Sequence, residues 1–201
     1  EVQFLRNFRD DAILKTKTGA SFMVAFNAWY YSFSPSVAQF IAEHPTLRMS
    51  MKYAFYPLLG ILRVGAAAFC LFPTSTEAGA VASGLLVSSL IGVVYLSAPL
   101  AAVLVNSSMA RRTARRLQAP LAVILLGALV AVVFSTVLSG PTVPLVLATS
   151  TLVVASVLAS AIFTSRGILR LVRLSDEESK VPGIRHRTQA YSETGLEDHT
   201  P

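Results

Sequence analysis

The stretch AGAVASGLLVSSLIGVVYLSAPLAAVLV, from Ala78 to Val105, contains no charged residue and decides the fold class. A transmembrane helix needs about 20 consecutive, mostly apolar residues, because the hydrocarbon core of a bilayer is about 30 Å thick. This stretch is slightly longer than one crossing needs, which predicts a tilted helix. Two further apolar stretches, Pro120–Leu138 and Val143–Thr164, also have the length of a span. Three transmembrane helices are therefore predicted within residues 78–165.

Charged residues are scarce over the whole chain. They make up 14% of its 201 residues, the mean hydropathy is +0.59, and a soluble domain normally carries about 25% charged residues. From Thr74 to Ser165 the charged residues are Glu77, Arg111, Arg112, Arg115 and Arg116. This distribution excludes a cytosolic globular enzyme, a disulfide scaffold and a disordered protein. It predicts an all-α integral membrane protein, in which short amphipathic N-terminal helices precede a bundle of three or four transmembrane helices.

Residues 1–52 are predicted to form the amphipathic helical region. A first helix would be closed by Gly19, and a second helix would be capped by Ser21. A third would begin at Ser34-Pro35, because proline is favoured at the first helical position, and would stop before Pro45. The aromatic faces of such short helices need one another or a lipid surface.

Residues 53–73 form an apolar helix that would either span the membrane or lie at its interface. Arg63 stands at the centre of this stretch, where an arginine costs about 2.5–3.5 kcal/mol on insertion scales. An intramembrane charge is a candidate functional residue. A snorkelling arginine on an interfacial helix is the other interpretation.

Two stripes of small residues predict close helix packing. Residues of this kind, spaced by three or four along a span, let another helix backbone approach. The helix-packing candidates are Ala80, Gly84, Ser88 and Gly92 in one span, and Ser156, Ser160 and Thr164 in the last span.

Two groups of arginines predict the orientation of the spans. One group follows Val105 in a short polar connection, and the other begins a basic juxtamembrane segment that leads into a disordered tail over residues 166–201. The topology-determining residues are Arg111, Arg112, Arg115 and Arg116, then Arg166, Arg170 and Arg173. Two spans separate the groups, so both lie on one side, which the positive-inside rule identifies as the cytoplasm. The protein is thus predicted to cross the cell membrane several times and to end in the cytoplasm.

The side of the N-terminal region depends on residues 53–73. If that helix spans, residues 1–52 are cytoplasmic, and their lysines and arginines favour this arrangement. If it does not span, residues 1–52 are extracytoplasmic, which the arginine within residues 53–73 favours.

No pattern of residues predicts catalysis or metal binding. The sequence lacks HExxH, paired CxxC, GxSxG and GxxxxGK motifs, and its one cysteine, Cys70, allows no intrachain disulfide. The net charge of +6 comes from basic residues beside apolar spans, so nucleic-acid binding is not expected. We expect a protein without enzymatic activity or cofactor. Its partner would be the lipid bilayer, with other membrane protein subunits as an alternative.

Residues 3–62 resemble the CFI-box C-terminal domain family, in an archaeal-like membrane version. The matching stretches are QFLRNFRD at 3–10, YYSFSP at 30–35, AQFIAEHP at 38–45 and YPLLG at 56–60. The resemblance implies an extracytoplasmic protein that carries this module at its C-terminal end for sorting or anchoring. It therefore favours an extracytoplasmic N-terminal region. The Cys-Phe-Ile box itself would lie just before Glu1, so no residue shown carries its role.

The sequence leaves three classes of function open. The favoured class is a membrane-anchoring, sorting or structural module without catalytic activity. The alternative is an accessory subunit of a larger membrane complex. A small transporter is the weaker alternative, because the predicted spans contain no acidic, histidine or broken-helix pattern.

Overall fold

The computed structural model describes residues 2–137 and 142–179, and this part of the chain contains helices and no strand. The predicted all-α fold class is therefore confirmed. The elements are α1 Val2–Phe8, a π-helical turn Arg9–Ile13, α2 Lys17–Glu43, α3 Pro45–Cys70, α4 Thr76–Ile91, a second π-helical turn Gly92–Leu96, α5 Ser97–Asn106, α6 Ser108–Val137 and α7 Thr142–Ser179.

Helix α2 is one continuous helix of 27 residues. The boundaries predicted at Gly19, Ser21 and Ser34 are therefore wrong. The N-cap is Thr16, whose side-chain oxygen accepts a hydrogen bond from the Gly19 amide at 3.0 Å. Pro35 lies inside the helix, where a proline removes one backbone hydrogen bond.

A single residue joins α2 to α3. His44 has an extended backbone with φ −122° and ψ 96°, because the ring of a proline disfavours the helical conformation of the residue before it. Pro45 then occupies the start of α3, where its missing N–H costs no helical hydrogen bond. The predicted boundary before Pro45 is confirmed, and the apolar helix predicted over residues 53–73 begins earlier, at Pro45.

Helix α3 packs antiparallel along α4 and the π-helical turn that follows it. A Cβ atom at Gly79, near the start of α4, would lie 3.0 Å from the carbonyl oxygen of Phe69, near the end of α3. At the other end of the pair, the Tyr95 hydroxyl donates to the carbonyl oxygen of Ala54. Residue numbers rise along one helix as they fall along the other, so the two helices run in opposite directions over most of their length.

Three helices enclose the largest apolar core in the described residues. Its buried members come from α6 and α7, and half-buried side chains of α4 pack against them. The core residues are Ala128, Val132, Leu145, Ala148 and Leu152, with Val81, Leu85, Leu125 and Leu129 around them.

In the part of the chain that the structure describes, four helices are long and apolar enough to cross a membrane: Pro45–Cys70, Thr76–Asn106, Ser108–Val137 and Val143–Val172. Their outer surfaces are apolar too. On α6, the exposed fractions of Val123, Leu126 and Phe134 are 70%, 62% and 63%. A soluble protein rarely exposes a continuous apolar surface of this kind.

The arginines after Val105 lie on a helix and not in a polar loop, because only Ser107 separates α5 from α6. The helix forms here because most of residues 110–116 are arginine or alanine, and both residues favour helices. Helix α7 continues through the basic segment to Ser179. The disordered tail predicted beyond it lies outside the described residues.

Candidate functional site

Helix α4 and its continuation contact α7 through small and hydroxylated residues. The hydroxyl oxygens of Ser89 and Ser156 are 2.9 Å apart and share a hydrogen bond. Ser156 is buried, with 3% of its surface exposed. Its hydroxyl also lies 3.5 Å from the carbonyl oxygen of Leu85. Short polar side chains of this kind let two helix backbones approach closely and join them by hydrogen bonds.

The two helices approach closely at Gly92. A Cβ atom there would collide with the hydroxyl of Ser160 and with the carbonyl oxygen of Val157. The serine hydroxyl can rotate away, but the carbonyl belongs to a helix backbone and cannot. Only glycine therefore fits at this position without moving α7.

One further serine joins the same helices. The Ser165 side chain is fully buried, and its hydroxyl lies 2.8 Å from the carbonyl oxygen of Ser97 and 2.7 Å from that of Ala161. We call the whole contact the serine–glycine interface. Its residues are Ser89, Gly92, Ser97, Ser156, Val157, Ser160 and Ser165.

The predicted packing stripes are only partly placed in the interior. Ala80, Ser88 and Gly92 are buried in the α4 region, as is Ser156 in α7, whereas Ser160 and Thr164 are half-buried. At Gly84 a Cβ atom would meet nothing within 4 Å, so no other helix among the described residues packs closely against this position.

The position of Gly84 on the helix explains why no neighbouring helix of this chain reaches it. Helix α4 has two separate contact faces, and successive residues turn by about 100° around a helix. Residues 79, 83 and 87 lie towards α3, whereas residues 85, 89 and 92 lie towards α7. Gly84 falls in the gap between these faces.

The face towards α3 was missed in the sequence. A Cβ atom at Gly65 would collide with Val87 and would lie 3.3 Å from the Ser83 hydroxyl. A spacing of four also relates Gly79 to Ser83. This pair is offset by one residue from the stripe that begins at Ala80. Spacing alone therefore did not separate the two contact faces of α4.

Gly65→Leu is expected to destabilise the packing of α3 on α4 by about 1–3 kcal/mol, because the new side chain has no room beside Val87. Unfolding of the purified protein in mixed detergent and SDS micelles measures this loss. Gly60→Leu is the matched control on the same helix, since a Cβ atom at Gly60 meets nothing within 4 Å. Equal stability of the two variants would contradict the close packing at Gly65.

A second contact links the beginning of α4 to the beginning of α2. One carboxylate oxygen of Glu77 accepts a hydrogen bond from the Lys17 amide at 2.6 Å. The other oxygen accepts from the Thr18 amide at 3.0 Å and from its hydroxyl at 2.6 Å. The first amides of a helix have no partner within the helix and carry its positive dipole end, so a carboxylate is well suited there. No local signal predicts this pair, because about 60 residues separate its members.

Arg63 lies on the exposed side of α3. It is seven positions from Cys70, the last residue of α3, which corresponds to about 10 Å along the helix axis. An arginine side chain can bring its charge towards the membrane surface over much of that distance. Arg63 therefore stands in the second half of α3 and not at its centre.

The other arginines lie at the two basic segments. The four of the first group are exposed on the first turns of α6. The three of the second group, Arg166, Arg170 and Arg173, lie on α7 beyond Ser165, in a separate compact unit.

Among residues 2–137 and 142–179, no three His, Cys, Asp or Glu side chains come together as a metal site would require. No family model, curated protein or solved structure matches this chain.

Proposed function

We propose that the chain is a membrane-embedded anchoring or structural module. One observation carries the proposal: small hydroxylated residues lie inside the helical assembly and large apolar residues lie outside. Ser88, Ser156 and Ser165 are at most 3% exposed, whereas Leu126 and Phe134 are more than 60% exposed. In water this distribution would be unfavourable, but it suits helices surrounded by lipid.

The antiparallel packing of α3 on α4 supports α3 as a span. If Thr76–Asn106 crosses the bilayer, a helix that follows it from Ala54 to Phe69 passes through the same hydrocarbon layer. The cost of Arg63 is reduced because its charge can reach the nearer surface. The anchor then consists of at least four crossings. The resemblance to the CFI-box family adds a sorting role to this proposal.

Anchoring is tested by fusing residues 1–201 to the C-terminal end of a soluble secreted reporter. The fusion is expected to sediment with membranes and to resist extraction at alkaline pH, because several apolar spans make insertion effectively irreversible. The reporter without the chain is the control. Release of the fusion by alkaline carbonate would contradict the proposal.

An accessory subunit is the second candidate, and exposed glycines favour it. Gly60 on α3 and Gly127 on α6 are exposed, and a Cβ atom at either would meet nothing within 4 Å. Such positions on a lipid-facing surface let another helix approach closely. Purification in mild detergent distinguishes the two functions. A single copy of the chain favours the anchor, and partners in fixed stoichiometry favour the subunit.

The C-terminus is expected to be cytoplasmic. Both groups of arginines lie next to the ends of proposed spans, and the positive-inside rule assigns such residues to the cytoplasm. A folded reporter fused after Pro201 should resist protease added to intact cells and should be cleaved once the cells are permeabilised. Cleavage in intact cells would reverse the orientation of every span.

A further inference from the structure

We propose that α2 is a fifth membrane-crossing helix, and that it forms a hairpin with α3 whose turn at His44 lies on the same side as the arginines of α6. The inference rests on the proposed membrane embedding and adds a crossing that hydropathy alone does not identify.

The length and charge of α2 support this proposal. The helix has 27 residues, or about 40 Å, which exceeds the roughly 30 Å of a hydrocarbon core. Its charged residues are the first, Lys17, and the last, Glu43, so residues 18–42 carry no charge on any face. A helix that lies in the membrane surface instead carries a strongly polar face rich in lysine and arginine.

The ends of α2 and α3 lie where a hairpin requires them. The first turn of α2 contacts Glu77, near the start of α4. The last turn of α3 reaches the same place, because Phe69 contacts Gly79. The ring of Phe8 also packs against Phe69, with a centroid distance of 5.7 Å. The start of α2, the end of α3 and the start of α4 therefore meet at one level.

The other ends follow from the chain connection. Helix α3 has 26 residues and begins one residue after α2 ends. The start of α3 is therefore about 39 Å along its axis from Cys70. Since α2 starts near the Cys70 end and finishes beside Pro45, it covers the same distance in the opposite direction. The α2–α3 connection thus lies at the level where α5 ends and α6 begins.

Large apolar and aromatic side chains make up much of the exposed surface of α2, which suits lipid. Val24, Trp29, Tyr31 and Phe40 are between 56% and 67% exposed. The Ser32 hydroxyl donates to the carbonyl oxygen of Trp29 at 2.6 Å, which satisfies a polar group without solvent. Within a bilayer, polar groups need such internal partners.

The charges beyond the ends of α2 agree with five crossings. Arg48 and Lys52 are on the first turns of α3 and would lie on the same side of the membrane as the α6 arginines. On the opposite side, two basic residues of the N-terminal segment pair with acidic neighbours: Arg9 with Asp10 at 2.7 Å, and Lys15 with Asp11 at 3.2 Å. With four crossings, a spanning α3 would place the N-terminus in the cytoplasm. With five crossings, α3 spans the membrane and the N-terminus is extracytoplasmic.

Single-cysteine labelling of the full chain in cells tests the proposal. In a Cys70→Ser background, cysteines are placed at three exposed positions: Asn7 before α2, Ala28 within it and Thr46 after it. The probe is a membrane-impermeant maleimide, applied before and after permeabilisation. Ser108→Cys, at the start of α6, reports the side of the arginines.

We expect N7C and T46C to react from opposite sides, and T46C to react from the same side as S108C. The A28C variant should react only after denaturation, because a thiol in hydrocarbon does not ionise. Labelling of N7C and T46C from one side, or rapid labelling of A28C in intact membranes, would overturn the fifth crossing. Alkaline extraction tests membrane embedding separately. If the chain stays membrane-bound while N7C and T46C share a side, the hairpin fails and the anchor stands. If alkaline treatment extracts the chain, both proposals fail.

Discussion

Gly92→Leu is expected to destabilise the helical assembly by about 3 kcal/mol or more, because any side chain at this position meets the backbone carbonyl of Val157. Because this carbonyl belongs to a rigid helix backbone, α7 must move away from the new side chain. That movement would also break the hydrogen bond between Ser89 and Ser156. Unfolding in mixed detergent and SDS micelles, followed by circular dichroism, measures the change.

Gly84→Leu is the matched control for this experiment. It makes the same substitution two turns earlier on the same helix, where a Cβ atom meets nothing within 4 Å. We expect its stability to stay within about 0.5 kcal/mol of the unchanged protein. If Gly92→Leu were as stable as Gly84→Leu, α4 and α7 would not approach as the serine–glycine interface requires.

Glu77→Ala is expected to release the start of α2 and to cost about 1.5–3 kcal/mol, since the hydrogen bonds lost are made by a charged group. The change leaves the Lys17 and Thr18 amides without their carboxylate acceptor. Hydrogen exchange of these two amides should accelerate, while exchange in the middle of α6 stays the same.

Asp11→Asn is the control for the loss of a carboxylate. Asp11 contacts Lys15 at 3.2 Å, and the two side chains are about 70% exposed. An exposed pair four residues apart contributes about 0.3–0.5 kcal/mol. A Glu77→Ala effect no larger than that of Asp11→Asn would show that the contact between α4 and α2 does not hold the N-terminal region.

The fold class could be predicted because it depends on a local property of the sequence. A stretch such as Ala78–Val105 contains its whole signal in consecutive residues, and so does the helix end before Pro45. Pro35 shows the limit of the same reasoning. Pro35 follows a serine, a pattern that predicts a helix start as Pro45 does. Pro35 nevertheless lies inside a continuous helix.

The contacts between helices could be predicted only in part. A spacing of four identifies a face of a helix, but it does not state which neighbour that face meets. Helix α4 meets α3 through Gly79 and Ser83, and it meets α7 through Ser89 and Gly92. The contact of Glu77 with Thr18 depends on the tertiary arrangement alone.

The π-helical turn at Gly92–Leu96 sets the rotational phase of the second half of this span. Such a turn accommodates one extra residue in an α-helix, so residues after it are rotated by about 100° from where an uninterrupted helix would place them. The bond from Ser165 to the Ser97 carbonyl and the burial of Leu104 both depend on that offset. If the same residues wound as an uninterrupted α-helix, the whole second half of the span would be rotated away from these partners. The extra residue in this turn therefore sets which partners the second half of the span meets.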